Sequence, residues 1–146
     1  MKKILGGWQK MAISEKVKEI LKSDSRLNVY STSSKDGTPN IAVIGSTTLL
    51  EDGTLIIALG DNRTYANLKE NPCAVCLVKI EGTKGLQMEG CRLNLKVKSV
   101  LDGGEVYDNF IAKLRKKIGS AADILKHVVI FEIAKARPVV DMGQGI

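Results

Sequence analysis

Apolar and polar positions alternate with a period of two over much of the first half of the chain, which is the pattern of half-buried β-strands. Residues Leu27 to Ser33 alternate, and Pro39 to Leu50 form a second stretch rich in branched side chains. Leu55 to Leu59 is a continuous apolar run too short for a helix, so it predicts a buried strand. Asp36-Gly37 and Asp52-Gly53 separate these segments, and Asp-Gly favours tight turns. The pattern predicts an antiparallel meander.

The second half of the chain also contains extended segments. Cys73 to Ile80 predicts a strand, and a glycine-bearing turn at residues 81–85 leads into a long strand from Leu86 to about Leu101. Apolar and polar side chains alternate along this long strand, which predicts one buried and one wet face. A last strand is predicted from His127 to Ala136. Six strands are therefore expected in all.

Three segments show helical spacing instead. Ser14 is a predicted N-cap for a short helix over Glu15 to Lys22. Tyr65 to Glu70 form a second helix that ends at Asn71-Pro72, because a residue before proline disfavours the helical conformation. An amphipathic helix runs from about Val106 to Ile118. Six strands joined mainly by hairpins, with helices over the openings, predict a mainly β fold that is a closed or partly closed antiparallel barrel.

Length and composition are those of one soluble domain. The chain has 146 residues, of which 44% are hydrophobic and 26% charged. No apolar run approaches the roughly 18 residues that a membrane-spanning helix needs. The first residues lack the apolar core of a secretory signal. We expect an N-terminal arm at residues 1–13, one domain at residues 14–146 and a cytoplasmic protein.

The net charge of +6 raises the question of a nucleic-acid partner. The densest basic cluster, residues 113–117, falls on the predicted amphipathic helix. Aromatic residues are few, and none is interleaved with basic residues as in proteins that bind single strands. We therefore expect a solvated basic face and no nucleic-acid or membrane partner. The positive field favours an anionic ligand.

Cysteine and histidine usage argues against disulfide, redox-thiol and metal chemistry. The three cysteines are an odd number. Cys73 and Cys76 form a C-x-x-C, but they enter a predicted strand, whereas a redox pair gains its low thiolate pKa at a helix N-terminus. We interpret them as small buried side chains. No metal site is expected, and His127, the single histidine, is expected to begin the last strand rather than to act in catalysis.

The start of the second predicted helix carries the candidate binding chemistry. Asn62, Arg63 and Thr64 lie between the end of a buried strand and this helix. A helix N-terminus offers unpaired N–H groups and a partial positive charge, which suit a phosphate. Arg63 could add a bidentate contact and Thr64 a hydroxyl donor. The same residues also suit a simple N-cap, which is the commoner role, so both interpretations stand.

Four segments occur in a characteristic order: Asp36-Gly37-Thr38-Pro39-Asn40, Leu50-Glu51-Asp52-Gly53-Thr54-Leu55, Asn62-Arg63-Thr64-Tyr65-Ala66-Asn67-Leu68-Lys69-Glu70-Asn71-Pro72 and Gln87-Met88-Glu89-Gly90. This order resembles the FMN-binding split barrel, the superfamily of pyridoxamine 5'-phosphate oxidase. Within it, the chain is most similar to the small FMN-binding and flavin-reductase-like members. The resemblance covers about Leu27 to Val139 and implies a six-stranded antiparallel split barrel of Greek-key-like topology.

The resemblance also implies a homodimer that holds FMN non-covalently between its subunits. By position, Arg63 and Thr64 would bind the FMN phosphate with help from Asn62. The residues implied along the isoalloxazine edge are Val43, Ile44, Gly45 and Ser46, and those beneath it are Ala58, Leu59 and Gly60. Gln87, on the long predicted strand, would reach the ring or the ribityl chain, and Gly90 would let two backbones approach.

The implied function is that of an oxidoreductase or electron carrier in which FMN supplies the chemistry and a small molecule or protein is the redox partner. No side chain is assigned as catalytic. Arg63 stands where the family commonly has a lysine, which keeps a cation beside the phosphate. The residues with which pyridoxamine phosphate oxidase grips its second substrate are not found, so that activity is not expected. The alternatives are a non-catalytic flavin- or haem-binding module and a deazaflavin (F420)-dependent reductase.

Overall fold

A computed structural model describes residues 12–146 of the chain. The elements are α1 (Glu15–Lys22), β1 (Arg26–Ser33), β2 (Pro39–Val43), β3 (Thr48–Leu49), β4 (Leu55–Leu59), α2 (Arg63–Glu70), β5 (Cys73–Ile80), β6 (Gly90–Leu101), α3 (Glu105–Ile118) and β7 (His127–Pro138), with 3-10 segments at Gly85–Gln87 and Gly119–Ile124. The predicted arm at residues 1–13 lies almost wholly outside the described residues. Within residues 12–146, no helix is long and apolar enough to cross a membrane.

The seven strands of residues 12–146 form one antiparallel sheet in the order β2-β1-β5-β6-β7-β4-β3. The two edge strands β2 and β3 are consecutive in the chain and joined by residues 44–47. A flat sheet of seven strands would separate its edges by roughly 29 Å, whereas this connection spans at most about 18 Å. The sheet must therefore curl until its edges approach, and the predicted mainly β antiparallel barrel is confirmed.

The strand count differs from the prediction because the segment Pro39 to Leu50 is two strands rather than one. The break is held by contacts with β1. The Ile44 amide donates to the Asn28 carbonyl at 3.0 Å, and the Arg26 Nη2 group donates to the Thr47 carbonyl at 2.8 Å. Thr47 Oγ1 also lies 2.9 Å from the buried Tyr30 hydroxyl. These contacts turn the chain from one sheet edge to the other, which side-chain alternation alone does not reveal.

The connection between β5 and β6 is longer than predicted. The long strand begins at Gly90 and not at Leu86, because Gly85 to Gln87 form a 3-10 segment. Thr83 Oγ1 accepts a hydrogen bond from the Glu89 amide at 2.9 Å and donates one to the Ile80 carbonyl at 2.7 Å, which closes the loop on itself. Gln87 therefore lies on a loop, and its predicted position on the strand is wrong.

Gly90 marks a close approach of two backbones, as predicted. Its φ of 151° lies in the region that favours glycine, and a Cβ there would sit 2.0 Å from the Val78 carbonyl oxygen. No side chain fits without moving β5. The β6 strand can start beside β5 only because this residue is glycine.

The hydrophobic core explains why β4 is apolar at every position. Its first, third and fifth residues pack into the main core, together with Val17, Ile20 and Leu21 of α1. Its second and fourth residues, Ile56 and Ala58, face the other way and pack under Phe110 and Leu114 of α3. Both faces of β4 are thus covered, which a continuous apolar run predicts.

Two of the three cysteines, Cys76 and Cys91, are fully buried, and Cys73 is half-buried on the other face of β5. All three are free thiols. Burial raises the pKa of Cys76 and of Cys91 to about 12, so neither is a thiolate near neutral pH. This agrees with their interpretation as small apolar side chains.

Candidate functional site

Eight of the eleven predicted site residues line one cavity of about 620 Å³, which we call the β4 groove. They are Val43, Ile44, Gly45, Ser46, Ala58, Leu59, Gly60 and Asn62. The opposite wall comes from the C-terminal end of α3, including Lys117 and Ile118, and from the 3-10 segment after it, including Ile124. The volume is in the range of small-molecule sites.

Side-chain and backbone contacts fix the shape of the β4 groove. Ser46 Oγ accepts the Ala58 amide at 2.9 Å and donates to the Ala58 carbonyl at 3.3 Å, which joins residues 44–47 to β4. A Cβ at Gly60 would meet the Ile124 carbonyl oxygen at 2.9 Å. Gly45, in contrast, has open space where its Cβ would be. The groove is therefore closed behind Gly60 and open at Gly45.

Arg26 also lines the β4 groove, although no motif or spacing in the sequence singles it out. Its guanidinium donates to the Ser23 carbonyl at 2.9 Å, to Asn28 Oδ1 at 2.7 Å and to the Thr47 carbonyl at 2.8 Å. It makes no ion pair with any residue between 12 and 146. Burial lowers the pKa of Arg26, although an arginine stays charged near neutral pH. Neutral acceptors thus hold a cation whose field reaches the groove.

Asn62 is the N-cap of α2, and its Oδ1 accepts the Tyr65 amide at 2.9 Å. The Asn62 amide itself donates to the Gly60 carbonyl at 3.0 Å. Of the four amides that a helix start leaves without intrahelical carbonyls, those of Arg63 and Thr64 donate to no acceptor within residues 12–146. The capping role of Asn62 is thus compatible with the binding of an anion beside it.

Arg63 opens into a second cavity of about 510 Å³, the Arg63 pocket, whose other lining residues include Lys35, Asn40 and Asn67. Arg63 is exposed and forms no ion pair with another residue of the described chain. Asn67 is buried, and its Oδ1 accepts no hydrogen bond from residues 12–146. The pocket therefore offers an unpaired cation and an unpaired buried acceptor.

The remaining two predicted residues line neither cavity. Thr64 is buried, and its hydroxyl accepts a long hydrogen bond of 3.4 Å from Asn40 Nδ2, so it lies behind the Arg63 pocket. Gln87 is exposed on the loop between β5 and β6. The structure of one chain therefore does not bring Gln87 to the other predicted residues.

His127 begins β7 as predicted, but it lies in a charged cluster that the sequence analysis missed. Its Nδ1 is 2.6 Å from Asp102 Oδ1, and its Nε2 is 2.6 Å from Asp61 Oδ1. The Tyr65 ring stacks on the imidazole with centroids 3.6 Å apart and planes 3° from parallel. Asp61 follows β4 and Asp102 follows β6, and β7 lies between these strands. Knowledge of the strand order would have been needed to bring them together.

The cluster shifts the titration of its members. Burial of the ring lowers the pKa of His127, but the hydrogen bonds and charges of Asp102 and Asp61 outweigh it and raise that pKa above its ordinary 6.5. The hydrogen bond from His127 lowers the pKa of Asp61 below its ordinary 3.8, with help from the charges of Lys126 and Lys69. The cluster therefore favours an imidazolium between two carboxylates.

Comparison with known proteins places the chain in a family. A sequence-family profile described as pyridoxamine 5'-phosphate oxidase matches residues 13–140. The chain belongs to this family. The resemblance to the FMN-binding split-barrel superfamily is thereby confirmed. Among curated protein sequences there is no significant match.

Several solved structures share this family's fold. The chain is similar to an FMN-binding protein from Syntrophomonas wolfei subsp. wolfei, with 28% identity and a TM-score of 0.69 over 84% of this chain and 88% of that one. It is also similar to HutZ, the haem storage protein from Vibrio cholerae, with 18% identity and a TM-score of 0.61 over 88% and 95%. An F420 reductase matches with 14% identity and a TM-score of 0.67 over 85% and 98%. The last two likenesses concern the fold alone.

Proposed function

We propose that the protein binds FMN non-covalently at a homodimer interface and acts as an oxidoreductase or electron carrier. The observation that carries this proposal is the adjacency of the β4 groove and the Arg63 pocket. Asn62 lines the groove, and Arg63, the next residue, lines the pocket. In β2, Val43 lines the groove and Asn40 lines the pocket. A ligand with a flat apolar ring at one end and a phosphate at the other suits this pair of cavities.

The Arg63 pocket suits the phosphate and the polyol chain. Asp36 and Glu70 also line the pocket, but Arg63 pairs with no carboxylate of residues 12–146 and can make charge-assisted hydrogen bonds to a phosphate. The amides of Arg63 and Thr64, which have no acceptor in the described part of the chain, add donors at a positive helix end. Asn67 Oδ1 is a buried acceptor without a partner in the described chain, and such a group is costly unless a donor reaches it. A ribityl hydroxyl would supply that donor.

The β4 groove suits the isoalloxazine ring. The backbone of Val43, Ile44, Gly45 and Ser46 would contact its edge, and Ala58, Leu59 and Gly60 would lie beneath it. When bound, FMN supplies hydride or electron transfer. The cations Arg26 and Lys117 at the groove favour negative charge on a bound ring. No side chain of the chain is assigned a proton transfer.

An apolar face beside the groove supports the homodimer. On the outer side of β2 and β5, Ile41 is 71% exposed, Val43 66% and Val75 39%. Val29 of β1 pairs with both Val43 and Leu77, beside the row in which Ser31 pairs with Ile41 and Val75, so the apolar side chains form one patch across the three strands. Contiguous apolar surface of this kind marks an interaction site. Because Val43 belongs to the patch and to the groove, a second copy seated there would cover the ligand, and its Gln87 could reach it.

The first test is the visible absorption spectrum of the purified protein before and after addition of FMN. Wild type should show the two flavin bands, and the variant R63A/T64V should lose most of them, because it removes the guanidinium and the hydroxyl while valine preserves the packing. The exposed Lys98 on β6 provides the matched control K98A, which should bind like wild type. Absence of flavin bands at micromolar FMN would contradict the proposal, and retention of haem or F420 would assign the groove to those ligands instead.

The redox role needs its own test. Anaerobic addition of a reduced nicotinamide cofactor, or of a low-potential donor, should bleach the bound flavin, and an acceptor should restore it. Bleaching by neither donor would leave a flavin-binding module without turnover. The absorption spectrum thus tests FMN binding, and the reduction experiment tests electron transfer independently of it.

A further inference from the structure

The His127 cluster has a protonation state that its geometry specifies. Each ring nitrogen faces one carboxylate oxygen at 2.6 Å. Ionised carboxylates only accept hydrogen bonds, so both ring nitrogens must donate, which requires the imidazolium. A neutral imidazole has one N–H group, and its lone pair would then face the other carboxylate. One of the two contacts must therefore be lost when the ring loses its proton.

The cluster is attached to the candidate ligand site at two points. Asp61 lines the β4 groove and lies between Gly60 and the N-cap Asn62. Tyr65, in the first turn of α2, stacks on the imidazole, and Lys69 Nζ lies over the Tyr65 ring, 4.7 Å from its centroid. His127 thus holds both the turn that precedes α2 and the first turn of α2 itself.

We propose that His127 is a positioning residue that, when protonated, holds the turn at residues 60–62 and the N-terminus of α2 in the arrangement that binds a phosphate-bearing ligand. Loss of the proton releases Asp61 and weakens binding. The identity of the ligand as FMN rests on the proposed function, whereas the release of Asp61 does not.

Asp61 is the carboxylate that leaves because other cations are available to it. The groups that act on it are His127, Lys126 before β7 and Lys69 of α2. The groups that face His127 are Asp61, Asp102 at the end of β6 and the Tyr65 ring of α2. A neutral imidazole can keep its bond to Asp102, while Asp61 turns towards the lysines. The turn and the first amides of α2 then lose their tether.

The proton on His127 can be measured without any ligand. The chain has one histidine, so its ring protons give one assignable NMR titration in a protein made without a histidine tag. We expect a pKa above 6.5 in wild type and a lower one in D61N and in D102N. The amides of Arg63 and Thr64 should shift with the same midpoint. The matched control D123N alters a carboxylate that pairs with Arg115 and should leave the midpoint unchanged. A midpoint at or below 6.5, or amides that do not follow it, would overturn the proposal.

The second measurement is the dissociation constant of FMN from about pH 5.5 to about pH 8.5 in wild type and H127Q. The FMN phosphate also titrates near pH 6. This effect is common to wild type and H127Q, so the difference between their two pH profiles reports on His127. If ligand binding raises the His127 pKa by one unit, wild type loses about tenfold affinity across this range in excess of H127Q. Parallel profiles would reject the positioning role while leaving FMN binding intact, and no binding by either protein would reject the proposed function instead. If H127Q does not fold, D61N takes its place in this comparison.

Discussion

The β4 groove and the Arg63 pocket differ in what builds them. The groove is lined mainly by apolar side chains and backbone, with Arg26, Asp61 and Lys117 among its charged lining residues. The 2.9 Å hydrogen bond from the Ala58 amide to Ser46 Oγ fixes one side of its shape, and the Ile124 carbonyl oxygen leaves no room for a Cβ at Gly60 on the other. The pocket is lined by polar and charged side chains from the loop between β1 and β2 and from α2. Shape should therefore decide what the groove accepts, and charge should decide what the pocket accepts. A ligand that occupies both cavities must extend across β2, because Val43 lines the groove and Asn40 lines the pocket.

The largest effect should come from a change in the strand that the two cavities share. Ile41 lies in β2 between Asn40 and Val43 and is 71% exposed in one chain. I41E should make the protein monomeric and abolish FMN binding, because burial of a charge in an apolar interface is costly. Light scattering after size exclusion and an FMN titration measure both effects. V106E, on a half-exposed position of α3, is the control that should remain dimeric. A dimeric I41E would place the interface elsewhere.

The next effect separates the pocket from the groove by use of riboflavin, which lacks the phosphate. Each hydrogen bond to a charged group contributes about 1.5–3 kcal/mol, so loss of two weakens binding about 100-fold or more. Wild type should prefer FMN over riboflavin by this factor. R63A should lose most of the preference yet bind riboflavin as wild type does, as equilibrium fluorescence titration can show. Equal loss of both ligands would mean that Arg63 acts on the shape of the site.

A smaller effect should distinguish two glycines of the groove. G60A places a Cβ 2.9 Å from a backbone oxygen that cannot move easily, so it should cost about 1–3 kcal/mol of unfolding free energy. G45A adds its Cβ in open space, so stability should be unchanged while affinity for the ring falls. Urea unfolding and riboflavin titration measure the pair. Tight ligand binding by G45A would show that the ring does not approach this position.

The smallest effect concerns the pH dependence of stability. The pKa of His127 is raised in the folded state. Its contribution to the free energy of unfolding is therefore complete below pH 6.5 and is lost as the pH rises through the folded-state pKa. The pKa of Asp61 is lowered in the folded state. Its contribution to the free energy of unfolding is therefore present above pH 3.8 and is lost as the pH falls through the folded-state pKa. Urea midpoints of wild type should fall from about pH 6 to about pH 8.5 by more than those of H127Q. The same slope in both proteins would contradict the assigned shift.

Local patterns predicted the elements well. Ser14 is the observed N-cap of α1, and its Oγ accepts the Val17 amide at 3.2 Å. β4 and β5 have the predicted bounds, and α3 ends at Ile118 before Gly119 with φ 63°. In each case the signal is a capping side chain, a glycine or an apolar period, all of which act over a few residues. The resemblance then predicted eight of the residues that line the β4 groove.

Errors arose where distant contacts decide the local structure. The break of the segment Pro39 to Leu50 depends on contacts of Thr47 with Arg26 and Tyr30. The 3-10 segment after α3 was not predicted, and it forms the wall against which Gly60 packs. Gln87 was predicted on a strand because the loop that holds it is closed by a threonine hydroxyl and not by a turn motif.

Local sequence was enough to predict the kinds of elements, the antiparallel class, the N-cap at Asn62 and the candidate residues around it. It could do so because propensity, capping and alternation are properties of neighbouring residues. Tertiary structure alone decided that β7 lies between β6 and β4, and so brought Asp61, Asp102 and His127 into one cluster. It also decided which of the many cations face a cavity. Both outcomes depend on the order and curvature of the strands in the sheet. That order and curvature result from contacts between residues far apart in the chain.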